Sequence, residues 1–178
     1  MFSQENKDDA QFYFGSFTSL IHRSLKYADQ IETTMFEELE FVRDYLVLQK
    51  NRFNDKLEFR IEAEDDIKLK SIKIPHSLIF TFAENAVKHG LMHKIDNRKL
   101  DIFISEKQNK IEVNIIDNGI GRQQSLKLKT SGTKKGLSIV DNIIEGYNKL
   151  YNQSISYKVN DLVDESGNAM GTEVKLIL

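Results

Sequence analysis

Cysteine is absent from the 178 residues, and proline occurs once, at Pro75. Without cysteine, disulfides and thiolate metal sites are excluded, and a reducing cytoplasm is the simplest setting. No run approaches the roughly 20 apolar residues that a membrane helix needs. The first ten residues, MFSQENKDDA, are polar and acidic and carry no signal-peptide pattern. An excess of one charge is also lacking: 25 Lys and Arg face 27 Asp and Glu, a net charge of −2. Nucleic-acid binding, which needs a strong basic excess on one face, is therefore not expected. There are no internal repeats and no low-complexity tracts. Hydrophobic residues make up 40% of the chain, enough to build one core of ordinary size.

The first 53 residues contain one glycine, Gly15, and read as helical. Phe17, Leu20, Ile21, Leu25 and Ala28 recur at helix spacing. Thr34 followed by Glu37 is a capping-box pattern that opens a second helix through Phe36, Leu39, Val42, Leu46 and Phe53. Dimerisation or packing on a following α/β domain accounts equally for these helices. Leu57–Ala63 alternates and reads as a strand, and a short strand near Ile72–Ile74 ends at Pro75. A helix is expected from Pro75, a good first helical residue, to about His89. Strands are expected at Leu100–Ser105 and Lys110–Asp117, loop from Asn118 to Lys135, and a helix from about Gly136 to Tyr151. Two strands close the chain, Ile155–Val159 and Thr172–Leu178. The expected fold is an α/β (α+β) two-layer sandwich with a mixed, largely antiparallel sheet. The expected division is 1–53, N-terminal helices, and 54–178, a ligand-binding domain.

Four segments could carry chemistry. In Glu84-Asn85-Ala86-Val87-Lys88-His89-Gly90, helical spacing puts Thr81, Asn85, Lys88 and His89 on one face. Asn85 offers a neutral oxygen of the kind that suits Mg²⁺ otherwise held by phosphates and water, and Lys88 could meet phosphate oxygens. Glu84 and Lys88 are equally an ordinary i, i+4 pair. In Asp117-Asn118-Gly119-Ile120-Gly121, an aspartate just past a strand is an acceptor-only group that would take a hydrogen bond from the amine of adenine and repel the carbonyl of guanine. Gly119 and Gly121 would let backbone approach a ligand, although Asn-Gly is also a plain turn signal. Gly132-Thr133-Lys134-Lys135-Gly136-Leu137 sits where a loop meets a helix N-terminus, a place that attracts anions. It is not a P-loop, because the order Gly-x-x-x-x-Gly-Lys-Ser/Thr is missing. Gly171-Thr172 before the last strand is a weak signal alone.

Taken in order, these segments resemble the nucleotide motifs of the GHKL (Bergerat-fold) ATPases. The closest resemblance is to the LytS/YehU-type sensor histidine kinases. It is carried by Glu37-Glu38-Leu39 through Tyr45-Leu46-Val47-Leu48-Gln49-Lys50-Asn51-Arg52-Phe53 and by Ile74-Pro75 with Phe82-Ala83-Glu84-Asn85-Ala86-Val87-Lys88-His89-Gly90-Leu91. The resemblance implies ATP and Mg²⁺ as cofactors, with Asn85 as metal ligand and Lys88 and His89 near the phosphates. It implies adenine recognition by Asp117, a pocket shaped by Gly119 and Gly121, a lid from Gly132 to Gly136 running into Leu137, and Thr172 supporting the adenine end. Glu84 stands beside the metal ligand. In gyrase-type relatives a water-activating glutamate lies four residues before the asparagine; Thr81 occupies that place here, which favours a kinase over a hydrolase. The family's phosphoacceptor lies in a segment like Pro-His-Phe-Leu-Phe-Asn, which this sequence lacks. Asp9-Ala10 through Leu25 resembles the following helix instead, with His22 inside it.

The expectation is a catalytic portion with half of a dimerisation hairpin, unable to label itself. Its implied partners are ATP, a response regulator and a second copy in the intact protein. Membrane attachment would come only through a sensor region absent from this chain. A GHKL ATPase or anti-sigma-type serine kinase is the alternative enzyme, marked by steady phosphate release or transfer to serine. A non-catalytic dimerisation module would fail to bind nucleotide.

Overall fold

The computed structural model describes residues 13–22, 25, 30–128 and 133–178, apart from the side chains of 133–136. A three-residue strand β1 (Glu32–Thr34) leads into α1 (Met35–Arg52), followed by β2 (Leu57–Ala63) and β3 (Lys73–Pro75). Helix α2 (Leu78–Asn85) continues as a π-helical segment, Ala86–Leu91. Strands β4 (Arg98–Lys107) and β5 (Lys110–Asp117) precede the short α3 (Arg122–Lys127) and the long α4 (Thr133–Tyr151). Strands β6 (Ser156–Val163) and β7 (Ala169–Ile177) end the chain.

The expected two-layer α/β fold is what forms. The main sheet has the order β2-β4-β5-β7-β6, with β2 parallel to β4 and every other pairing antiparallel. Period-2 alternation sends Leu100, Ile102 and Ile104 of β4, Val113 and Ile115 of β5, and Val174 and Leu176 of β7 to the covered face. Met35, Leu39, Val42 and Leu46 of α1, Leu78, Ile79 and Phe82 of α2, and Val140 and Ile144 of α4 complete the same core. Residues of α1 therefore pack across the division expected at residue 53. The opposite face is polar, with Arg60 forked onto Asp101 at 2.8 and 3.1 Å.

The capping box at Thr34 forms: its hydroxyl accepts the Glu37 N–H at 3.1 Å, and Glu37 reaches back to the Thr34 N–H at 3.4 Å. Residues 13–22 are helical and held to α1, where the Ser19 hydroxyl donates to Asp44 at 2.6 Å. Phe14, Phe17, Ile21 and Leu25 are exposed there, and so is His22. Asp9 and Ala10 lie outside the described residues.

Four local expectations change. Pro75 ends a strand instead of starting a helix, because β3 pairs with β1, Pro75 opposite Glu32. The helix begins three residues later, after Ser77 in the left-handed region at φ 62°. Its last turns widen into the π-helix, so Lys88 leaves the face that simple helical spacing assigns it, while His89 stays with Asn85. The segment 118–135 is not all loop: it holds α3 and the start of α4 at Thr133. No described helix is long and apolar enough to cross a membrane.

Candidate functional site

The alternation that fills the core carries one carboxylate inward. Asp117 follows Val113 and Ile115 on the covered face of β5 and is 4% exposed. The Gly119 N–H donates to its Oδ1 at 2.8 Å, and Thr172, its partner across β7, supplies backbone and side-chain hydrogen bonds. Burial nevertheless pushes the Asp117 carboxyl up from 3.8 to about 6, against the pull of these donors and of Lys94. A buried carboxylate with a raised pKa on the wall of a pocket is a candidate partner for a ligand donor.

Backbone from three elements converges on that carboxylate. A Cβ on Gly119 would collide with the Gly90 backbone and come within 2.7 Å of Asp117 Oδ1, and one on Gly90 would come within 2.8 Å of the same oxygen. Gly171 lies at φ +136°, and a Cβ there would strike the Asp117 carbonyl. Gly119 thus serves close packing behind the pocket instead of facing it. Asn118 is more than a turn residue. Its amide accepts from the Lys99 N–H at 2.9 Å and donates to the Asn97 carbonyl at 2.7 Å, while Lys94 donates to the Asn118 carbonyl at 2.7 Å.

Above Asp117 opens a mostly apolar pocket enclosing about 590 Å³, mouth included. Asn85, His89, Asp117, Gly121, Leu137 and Thr172 all line it, so distant stretches singled out in the sequence meet in one cavity. Phe82 and Ala86 on the helical side and Ile115, Val159 and Val174 on the sheet form apolar walls that only the tertiary fold reveals. Burial, with Lys88 and His93 nearby, lowers the pKa of His89 and favours its neutral imidazole. Its Nδ1 is buried and has no hydrogen-bond partner among the described residues.

Glu84 and Lys88 are not among the lining residues; they join each other at 2.8 Å along the helix. The π-turn explains why Lys88 parts from Asn85 and His89. Thr133, Lys134, Lys135 and Gly136 form the first turn of α4, and Gly132 lies outside the described residues. Arg122 and Ser125 of α3 line the pocket although the motifs did not single them out. Arg122 forks onto Asp161 of β6 at 2.6 and 3.0 Å, fastening α3 to the sheet. An arginine directly after Gly121 was the available signal, but its partner on β6 lies too far along the chain to be read from sequence.

Among the described residues, no group of three or more His, Asp or Glu side chains is placed to hold a metal ion. A neutral Asn85 oxygen without a carboxylate cage fits a divalent ion that arrives with phosphates and keeps waters, as Mg²⁺ does.

Residues 1–57 match a family model described as histidine kinase. The sensor protein LytS of Enterococcus faecalis is 28% identical over 144 residues, 78% of this chain and 24% of that protein. LytS of Bacillus anthracis is 27% identical over 160 residues, 87% of this chain and 26% of that one. The sensor protein kinase HptS of Staphylococcus aureus is 30% identical over 122 residues, 67% and 22% respectively. The chain spans about a quarter of the length of these curated relatives. Among solved structures, a nucleotide-free catalytic domain of the histidine kinase ThkA superposes with TM-score 0.57 at 19% identity, covering 83% of this chain and 95% of that one. ThkA in complex with the response regulator TrrA superposes with TM-score 0.53 at 16% identity, covering 100% of this chain and 52% of that one. In sequence the chain is similar to the LytS-type sensor histidine kinases, as its motifs led one to expect, and its fold is that of the catalytic domain of the histidine kinase ThkA.

Proposed function

We propose that this chain binds Mg-ATP and transfers the γ-phosphoryl group to a histidine on a separate segment or protomer, for relay to a response-regulator aspartate. The observation that carries the reading is that Asn85 and Asp117 line one pocket. Asp117, backed by Thr172, would accept from the adenine amine, with Phe82, Ile115, Val159 and Val174 around the base. Asn85 would hold Mg²⁺, which when bound supplies positive charge to the phosphates. His89, whose burial favours the neutral imidazole and whose Nδ1 has no partner among the described residues, would stand beside them. The first turn of α4, with Lys134 and Lys135, would act as the lid. Phosphoryl transfer through a loose transition state asks the protein mainly for positioning and charge neutralisation.

Thr81 argues against a dedicated hydrolase. Its hydroxyl donates to the Ser77 carbonyl at 2.6 Å, so it is engaged with its own helix and is no carboxylate base. The intact protein would dimerise and pair with a response regulator, as ThkA does with TrrA. Its location would be cytoplasmic, beneath a membrane sensor region.

Incubation with γ-labelled ATP tests the reading. The 178-residue chain alone should stay unlabelled, and should phosphorylate a separately supplied dimerisation segment bearing the family's histidine. Label on His22 would refute the assignment of the acceptor to another segment. Steady phosphate release without transfer would favour the ATPase alternative.

A further inference from the structure

Two carboxylates are buried among the described residues. Asp117 belongs to the pocket. The other, Glu38, is 1% exposed, sits in the first turn of α1 and does not line the pocket. Its Oε2 accepts the Ser77 N–H at 3.1 Å and its Oε1 accepts the Phe80 N–H at 3.0 Å. These are the free amides at the start of α2, which every helix must satisfy somehow. Ser77, the N-cap residue, is left-handed and makes no capping bond of its own. The cap of α2 is therefore delivered by a different helix. A carboxylate there also meets the positive end of the α2 dipole, and its bonds are charge-assisted.

Aromatic contacts reinforce the joint: Phe80 lies 4.8 Å from Phe41 and 5.1 Å from Tyr45, centroid to centroid. Beyond it, the same helix and its π-helical extension bring Phe82, Asn85, Ala86, His89 and Gly90 to the pocket. Before it, α1 is bonded to the helical residues 13–22 through Ser19 and Asp44. Asp117 and Thr172 stand apart from this joint, on the sheet.

We propose that Glu38 is a positioning residue that couples α1 to the Asn85 end of the pocket, so that the placement of α1 sets the Mg²⁺-dependent part of nucleotide binding more strongly than adenine recognition, which Asp117 and Thr172 hold from the sheet. The inference rests on the assignment of Asn85 as the Mg²⁺ ligand.

Calorimetric titration of the 178-residue protein, with ATP plus Mg²⁺, ATP plus chelator, and adenosine, tests it. The parent should bind ATP more tightly with Mg²⁺. Glu38→Gln keeps the shape but can accept only one of the two N–H groups and loses the charge. It should lose about tenfold in Mg-ATP affinity while its adenosine affinity, held mainly from the sheet, falls by less than about threefold. Glu40→Gln, on the same helix and paired at the surface with Arg43, should change neither. If Glu38→Gln does not fold, Glu38→Asp, which keeps the charge and shortens the reach, should give the same selective loss. A folded variant with lower thermal stability and an unchanged Mg²⁺ increment would overturn the coupling and leave a cap that only stabilises. Equal loss of adenosine binding would also overturn it. A parent that shows no Mg²⁺ increment would instead sink the Asn85 assignment, and the inference with it.

Discussion

Replacing Asp117 by asparagine should make the protein more stable and worse at binding ATP. Folding raises the carboxyl from 3.8 to about 6. At 1.36 kcal/mol per unit, that amounts to about 3 kcal/mol of cost at pH 7.5, where the buried group is ionised. The sign follows from the direction of the shift. The folded state favours the protonated form, so the group's contribution is best below pH 3.8 and is lost as pH rises through about 6. Asparagine carries no charge to desolvate, but its amide can accept from only one side, forfeiting about 1 kcal/mol of the hydrogen bonds from Gly119 and Thr172. The net gain at pH 7.5 should be about 2 kcal/mol, roughly 4–8 °C in Tm for a chain of this size. At pH 5 the parent is mostly protonated, and the advantage should shrink by about 1.4 kcal/mol. Denaturant or thermal melts of both proteins at the two pH values measure this. An advantage that is absent, or equal at both pH values, would refute the claim that burial of an ionised carboxylate sets the cost. ATP titration completes the test: affinity should fall by at least about tenfold, the scale of one buried hydrogen bond to a charged group. A stabilised variant that binds ATP as well as the parent would remove Asp117 from adenine recognition.

Mg-ATP affinity of the parent should itself weaken by about tenfold between pH 7.5 and pH 5, as the Asp117 acceptor takes up a proton, measured by titration at constant ionic strength. Gly119→Ala must push its new methyl into the Gly90 backbone and should cost about 1–3 kcal/mol in denaturant melts, with loss of ATP binding. Arg122→Ala breaks a partly exposed fork and should cost under about 1 kcal/mol of stability. It should nevertheless weaken ATP binding, because α3 then loses its tether to β6, and unaltered affinity would show that the tether does not shape the pocket. Thr34→Ala removes the capping box and should lower stability by about 1 kcal/mol, read as a small fall in Tm with nucleotide affinity unchanged.

Local chemistry made much of this legible in advance. The Thr34–Glu37 box marks the start of α1 to the residue, since both halves of its signal lie within one helical turn. The alternation of β5 carries Asp117 to the covered face by counting alone. What escaped reading depends on tertiary pairing. Pro75 suits a helix start by itself, and only β1 across from it makes it a strand residue. The π-turn after Asn85 leaves no mark in the residue pattern, yet it decides that His89 faces the pocket and Lys88 does not. Neither Arg122 with Asp161 nor Glu38 with the start of α2 could be matched without the fold, because each pair joins elements remote along the chain.

Gly90, Gly119 and Gly171 come from three elements widely separated along the chain, and their bare main chains frame one aspartate, the first two at its carboxylate and the third at its carbonyl. That frame exists only after all three elements have docked, so a partly unfolded molecule offers no reduced version of it. Any ligand that seats there should engage the native state alone and stabilise it by the full mass-action increment, about 2.7 kcal/mol at a free concentration of 100 Kd.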